Sequence, residues 1–297
     1  MIKNVAFIGI GAMGNPMIRH LLEAGYNVTI YYHRDPAKMQ PLLDKGAKAA
    51  ASLKDVAKDA DALFTMLPTE DVVYEVLMGE GGAMEYAKSG TIVVNTSTNS
   101  AESNIKLGNL LVPKGFQVID APITGSSLQA EDKTIVFVAG GDKDVYDKLL
   151  PLFNAMGAGS FYAGVLGAGS YAKLATNTMM AINMLSFSEA LTLAVKCGVD
   201  PEVFVKFTSG GGAQCAVADK KIGKILKRDF TPTFRSALMH KDTILASDVA
   251  KELKLSMPML SLTKEMFGIS CAEGFADEDY GAVLKLYERW ADIVVKK

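Results

Sequence analysis

At 297 residues and 49% hydrophobic, the chain can bury the core of two domains or of one large one. Its formal net charge is −2, with Lys and Arg interspersed among Asp and Glu, so there is no basic stripe of the kind that binds nucleic acid or anionic lipid, and no membrane partner is expected. Cys197, Cys215 and Cys271 are odd in number and far apart, which fits a reducing compartment and excludes a disulfide framework or structural zinc; His20, His33 and His240 are too scattered to suggest a metal.

The opening MIKNVAFIGI reads as a strand running into a glycine turn, which leaves no room for a signal or transit peptide. A soluble, cytoplasmic protein is the expectation. Residues 5–10 are a short apolar run typical of a buried parallel strand, and they lead into Gly9-Ile10-Gly11-Ala12-Met13-Gly14. A helix over 15–24, closed by Gly25, and a strand over 28–32 follow. The G-x-G-x-x-G thus has the strand–turn–helix–strand context of dinucleotide binding, with a purely structural glycine turn as the other reading. Gly9 permits the tight turn, Gly11 lets the backbone approach a pyrophosphate, and Gly14 allows close packing of helix on strand. Ala12 and Met13 complete the turn, and the amides at the helix N-terminus would hold the diphosphate.

The end of the second strand reports on the adenosine ribose. An acidic residue there bonds the 2′-hydroxyl of NAD, whereas an arginine accommodates the 2′-phosphate of NADP. Arg34, with His33 beside it, favours NADP and leaves NAD possible. Asp35 comes one step late and is better placed to cap the next helix, with Pro36 at its first position.

Alternation continues with a helix over 53–60, a strand over 62–66, a helix over 70–78, a strand over 91–95, a helix over 101–112 and a strand over 116–120. Repeated β-α-β units predict a parallel sheet with helices on both faces. Ligands bind beyond the carboxyl ends of such strands, where Leu67, Pro68, Ser97, Thr98 and residues 120–126 fall. Taken singly, each of these also reads as ordinary loop and cap chemistry. In DAPITGSS (120–127), Gly125 and the small hydroxyl residues leave amides accessible, as a carboxylate-binding nest needs. A polar turn before the strand over 134–139 is the alternative. Gly140-Gly141-Asp142 ends that strand, a helix covers 143–156, and a last short strand over 160–162 precedes Gly164.

Beyond Gly164 the strand pattern stops. The longest predicted helix spans 168–197, free of proline and closed by Gly198, and LATNTMMAINMLSFS between Lys173 and Glu189 carries no charge. Thr176, Asn177, Thr178 and Asn183 keep it short of the ~18 apolar residues a membrane span requires, so a buried helix is expected. Lys173 and Asn177 lie four apart on one face, and buried polar groups need partners. On spacing alone this fits a lysine snorkelling from the first turn, with Asn177 bonded to a nearby loop. Further helices are predicted over 201–208, 216–227, 237–253, 257–272 and 281–295, with glycines and prolines between them. Lys241 and Asp242 fall inside one of them, as a solvated pair or with Lys241 facing the ligand cleft. The expected architecture is an α/β Rossmann-type N-terminal domain (1–163) plus an all-α C-terminal substrate and oligomerisation domain (164–297). A long interdomain helix of about 45 Å joins them.

Taken together, these stretches resemble the β-hydroxyacid dehydrogenase family, of which 3-hydroxyisobutyrate dehydrogenase and tartronate semialdehyde and glyoxylate/succinic semialdehyde reductases are members. The likeness is colinear over essentially the whole chain. It rests on FIGIGAMGNPM (7–17), MLP (66–68), NTSTNS (95–100), DAPITGSS (120–127), GAGSYAKLATN (167–177) and KD (241–242). The resemblance implies that Lys173 is the catalytic residue and Asn177 assists in positioning the substrate. It also implies Leu67, Pro68, Thr98 and Lys241 at the cofactor, Thr124-Gly125-Ser126 at the carboxylate of a small substrate, and assembly into a homodimer or homotetramer. Two departures stand out. The family's S-G-G-x-x-G-A loop reads Thr124-Gly125-Ser126-Ser127-Leu128-Gln129-Ala130, so Ser126 and Gln129 replace glycines, and Asn95 stands where Asp is common. These bear on substrate identity and not on reaction type.

The implied reaction is reversible hydride transfer between a hydroxyacid's carbinol carbon and nicotinamide C4, with Lys173 donating a proton in reduction and accepting one in oxidation. A lysine ordinarily titrates near ~10.4, so oxidation requires burial or a neighbouring cation such as Lys241 to lower that value. With Arg34 pointing to NADP, reduction is the expected direction. An imine reductase on the same architecture is a second reading, against which Lys173 counts because those enzymes generally replace it. A cofactor-binding sensor without turnover is a third, against which the intact Lys173 and Asn177 argue.

Overall fold

The computed structural model describes residues 2–31 and 36–296; His33, Arg34 and Asp35, which carry the ribose and capping readings, lie outside them. Two compact units emerge, Met1–Lys173 and Leu174–Lys297. In the first, β1 (Asn4–Ile8) runs into α1 (Gly14–Glu23) and β2 (Asn27–Tyr31). Then come α2 (Gln40–Leu43), β3 (Lys48–Ala49), α3 (Leu53–Ala57), β4 (Ala62–Thr65) and α4 (Glu70–Met78). They are followed by β5 (Ile92–Asn95), α5 (Ala101–Leu111), β6 (Gln117–Asp120), β7 (Ile123–Thr124) and α6 (Ser127–Glu131). The unit is completed by β8 (Val136–Gly141), α7 (Lys143–Met156) and β9 (Gly159–Gly164). Helix starts follow local chemistry: Ser52, Thr69, Ser100 and Asp142 stand at N-caps, each accepting from the amide three residues on.

The strands form one sheet in the order β3-β2-β1-β4-β5-β6-β8-β7, with β9 on β8. Strand order reverses between β1 and β4, which marks the switch point where ligands bind beyond the carboxyl ends. Alternate residues of the inner strands feed opposite faces: Val5, Phe7 and Phe64 join one core, while Ala6, Ile8 and Leu63 join the other. The pairing from β1 through β6 is parallel, as predicted. Beyond β6 it is not, because β8 runs antiparallel to both β6 and β7. A parallel return needs a crossover of a dozen residues or more, usually helical, and α6 has only five.

The long helix α8 (Ala168–Lys196) carries the unit boundary inside it. The second unit continues through α9 (Pro201–Thr208), α10 (Ala216–Leu226), α11 (Ser236–Glu252), α12 (Pro258–Ser270) and α13 (Leu284–Ala291). Its core gathers Met184, Leu191, Met239, Phe267, Val283 and Leu284. Two expectations are corrected here. The last helix does not reach residue 295: Asp292 takes a left-handed φ of 50°, and the chain then turns so that the Val295 amide donates to Glu288. Nor is α8 buried all round, since Met179 is 61% and Leu193 67% exposed. Apolar composition is symmetric about this helix, whereas its neighbours are not.

Candidate active site

The glycine turn after β1 shows why each glycine is there. At Gly9 (φ +109°) a Cβ would lie 2.2 Å from the Met66 carbonyl oxygen, and at Gly14 one would lie 1.9 Å from that of Gly9. Protein packing forbids a side chain at both. At Gly11 a Cβ would meet nothing within 4 Å among the described residues, so their packing does not explain its bare backbone, which leaves room for the close approach of a ligand. Between Gly11 and Gly14, Ala12 and Met13 lead into α1, whose start has no side-chain cap and no acidic residue in its first turn. Those amides and their positive helix end therefore fit a diphosphate.

The strand-end loops are tied to one another. Leu67 packs against Gly9, and its amide donates to Ser97 Oγ at 2.9 Å, which fixes Leu67-Pro68 beside the Thr96–Thr98 loop. The Thr96 hydroxyl donates to the Thr65 carbonyl at 2.7 Å. A buried polar chain then crosses the strand ends. Thr65 Oγ1 donates to Asn95 Oδ1 at 2.9 Å, Asn95 Nδ2 to Asn104 Oδ1 at 2.8 Å, and Asn104 Nδ2 to Ser170 Oγ at 3.0 Å.

That chain ends where α8 begins. Asp120, at the carboxyl end of β6 and fully buried, accepts from the Gly167 amide at 2.8 Å and the Ser170 amide at 2.6 Å. Burial pushes its carboxyl above the ordinary 3.8 in spite of those donors. Gly167 has a φ of +96°, and a Cβ on Gly169 would lie 2.5 Å from the Val138 carbonyl oxygen. The glycines before Lys173 are therefore demanded by a helix start pressed onto the sheet's carbonyls. One turn past Ser170 stands Lys173, only 9% exposed, which places the first turns of α8 and Lys173 itself in the first unit.

Asn177, the next turn on, is buried and donates through Nδ2 to Asp242 Oδ2 at 2.6 Å. Asp242 is likewise buried, with Oδ1 3.2 Å from Lys241 Nζ. The solvated-pair reading of Lys241 and Asp242 is thereby corrected: the carboxylate faces inward because Asn177 needs its acceptor.

The loop over 124–130, which the resemblance assigns to the substrate carboxylate, is more structured than a polar turn. Thr124 ends β7, exposed, and Gly125 has a φ of +135° with Ile135 Cγ2 2.8 Å from where a Cβ would stand. Ser126 caps α6: its Oγ accepts from the Gln129 amide at 3.3 Å, while Gln129 Oε1 accepts from the Ser126 amide at 3.2 Å. The two residues that replace family glycines are thus each other's partners. His20 Nε2 lies 3.0 Å from the Ala130 carbonyl, docking α6 on α1.

Comparison with known proteins bears on the family and the fold. Residues 4–169 match the family model described as the NAD binding domain of 6-phosphogluconate dehydrogenase. Residues 167–287 match that described as NAD-binding of NADP-dependent 3-hydroxyisobutyrate dehydrogenase. The 2-(hydroxymethyl)glutarate dehydrogenase of Eubacterium barkeri is 33% identical over 98% of this chain and 97% of its own length. The chain belongs to the β-hydroxyacid dehydrogenase family. Another β-hydroxyacid dehydrogenase, human mitochondrial 3-hydroxyisobutyrate dehydrogenase, is 30% identical over 95% of this chain and 85% of its own. Among solved structures, Mycobacterium tuberculosis 3-hydroxyisobutyrate dehydrogenase superposes with a TM-score of 0.89 at 27% identity, covering 96% of this chain and 99% of its own. An imine reductase from Myxococcus stipitatus, at 17% identity and a TM-score of 0.65, shares the fold alone.

Within this β-hydroxyacid dehydrogenase, sequence reasoning gave Asn104 and Ser170 no role, and it did not give the Asp120 and Asp242 carboxylates the partners they have. Asp120 and Asp242 do lie inside motifs, DAPITGSS and KD, and that was a usable signal. Ser170 lies likewise inside GAGSYAKLATN, whereas nothing local marks Asn104, and the bond between the two joins residues 66 apart.

Proposed function

We propose that this NAD(P)-dependent hydroxyacid dehydrogenase works physiologically as an NADPH-dependent reductase of small aldehyde acids, in the cytoplasm, with Lys173 as general acid. The observation that supports it best is the placing of Lys173: a buried lysine one turn from a helix start anchored by Asp120, with Asn177 oriented by Asp242 on the same face.

When bound, the nicotinamide cofactor supplies or accepts hydride at its C4. The bare backbone of Gly11 and the first amides of α1 would hold the diphosphate, and the resemblance adds Leu67, Pro68, Thr98 and Lys241 as residues that would contact the cofactor. Arg34 selects the 2′-phosphate, a reading supported by sequence. The Thr124-Gly125-Ser126 loop receives the acid group. In reduction Lys173 Nζ gives its proton to the forming alkoxide, and in oxidation it takes the hydroxyl proton back. Asn177 positions the substrate: Asp242 holds its Nδ2, while its Oδ1 has no hydrogen-bond partner among the described residues and can accept from a hydroxyl. Assembly into a homodimer or homotetramer through the helical unit belongs to the same proposal, supported by the exposed Met179 and Leu193 on α8.

A Lys173→Ala variant tests the reading. It should keep NADPH affinity and lose roughly 10²-fold or more in turnover, and near-normal turnover refutes the assignment. A panel of aldehyde acids with NADPH or NADH, followed by absorbance, tests the cofactor preference. Turnover of cyclic imines instead would favour an imine reductase, and tight NADPH binding without any turnover would favour a sensor.

A further inference from the structure

One donor in the substrate loop is already occupied. The Ser126 amide is bonded to Gln129 Oε1, so it is not open to a substrate's acid group. Because an N–H faces it, the Gln129 carboxamide is oriented with Oε1 inward, which turns Nε2 to the opposite side of the amide carbon. Among the described residues that Nε2 makes no hydrogen bond, and Gln129 is half-buried, not buried. Its backbone is held firmly: α6 is pinned by His20 at the Ala130 carbonyl, the neighbouring Ala130 is fully buried, and Gln129 Cβ would stand 3.4 Å from a Cβ on Gly125.

We propose that Gln129 is the specificity-determining residue of the loop, its Nε2 replacing the Ser126 amide as the donor to the substrate's acid group. Ser126 and Gln129 act as a relay: the backbone donor is spent on Oε1, and two side-chain hydrogens are presented in its stead. This rests on the reductase reading above, since it names the residue that reads the acid group in that same site.

Two substitutions separate this role from capping. Gln129→Glu preserves the cap, because a glutamate oxygen accepts from the Ser126 amide as well as a glutamine does, but it removes the donor and sets a negative charge against the acid. Gln129→Gly removes the side-chain half of the cap, leaves Ser126 Oγ accepting from the residue-129 amide, and frees the Ser126 amide. The assay is KM for glyoxylate, succinic semialdehyde and uncharged propionaldehyde with NADPH, together with calorimetric binding of the unreactive succinate to the NADP+ complex and a thermal melt. A charge-assisted hydrogen bond is worth roughly a factor of ten to a hundred, so Gln129→Glu should raise KM for both acids and Kd for succinate by about that much. KM for propionaldehyde, affinity for NADPH and melting temperature should stay near native. Gln129→Gly should melt lower than Gln129→Glu yet bind the acids better, so the order of stability is the reverse of the order of acid affinity. Acid KM and succinate Kd within twofold of native in Gln129→Glu overturn the proposal and leave Gln129 a helix cap. Absence of turnover by the native chain with either acid would overturn the reductase reading along with it, whereas unchanged constants in Gln129→Glu overturn this inference alone.

Discussion

Removing the carboxylate of Asp120 should cost this protein a large part of its stability, although Asp120 is not a catalytic residue. Its two oxygens each accept from a backbone amide at the start of α8, Gly167 at 2.8 Å and Ser170 at 2.6 Å, in a site closed to water. Asp120→Ala strands both donors. Each buried, unsatisfied amide costs roughly 1–3 kcal/mol, so the loss should be about 2–6 kcal/mol. Total stability for a domain is of the order of 5–15 kcal/mol, which makes this a severe lesion. Asp120→Asn keeps one acceptor and should cost about half as much. No shifted helix start can make good the loss, because a Cβ at Gly169 would stand 2.5 Å from the Val138 carbonyl oxygen and the backbone there is already in contact with the sheet. Urea denaturation followed by circular dichroism measures the loss, and turnover measured where the variant is still folded reports the displacement of Lys173. A loss under 1 kcal/mol for Asp120→Ala would refute the claim that this carboxylate anchors the helix.

Three further outcomes follow from particular positions. A Cβ at Gly11 meets nothing within 4 Å among the described residues, so Gly11→Val should leave the melting temperature within a few degrees of native while weakening NADPH binding at least tenfold in a fluorescence titration; equal losses of both would show a packing role. Asn99, just before the N-cap of α5, buries both amide atoms without a partner among the described residues, so Asn99→Leu should raise stability by about 1 kcal/mol, and a fall would mean that buried water satisfies the amide. Asp61 is held at about 2: burial alone would raise it, but the amides of Asn4 and Lys3 and the Lys88 ammonium together outweigh burial. A depressed carboxyl contributes stability that is present above its ordinary 3.8 and lost as pH falls through about 2. Asp61→Asn should therefore flatten the fall in melting temperature between those two values, and an unchanged slope would place the acid sensitivity elsewhere.

The chain's own order of residues determined everything that depends on near neighbours. The apolar run into Gly9 and the bounds of α4 and α7 are legible in windows of a dozen residues, because helix and strand periods act over that range. Lys173 and Asn177 were legible as a pair for the same reason, being one turn apart. Tertiary structure decided the rest. The Asp120 carboxylate meets α8 across 47 and 50 residues, and Asn177 meets Asp242 across 65. No local pattern encodes such pairs, since only the folded sheet and helices bring the partners within bonding distance. The antiparallel β8 and the exposed stripe of α8 belong to the same class: which strand lies alongside, and which side of a uniformly apolar helix has neighbours, are properties of the packed chain and not of any segment of it.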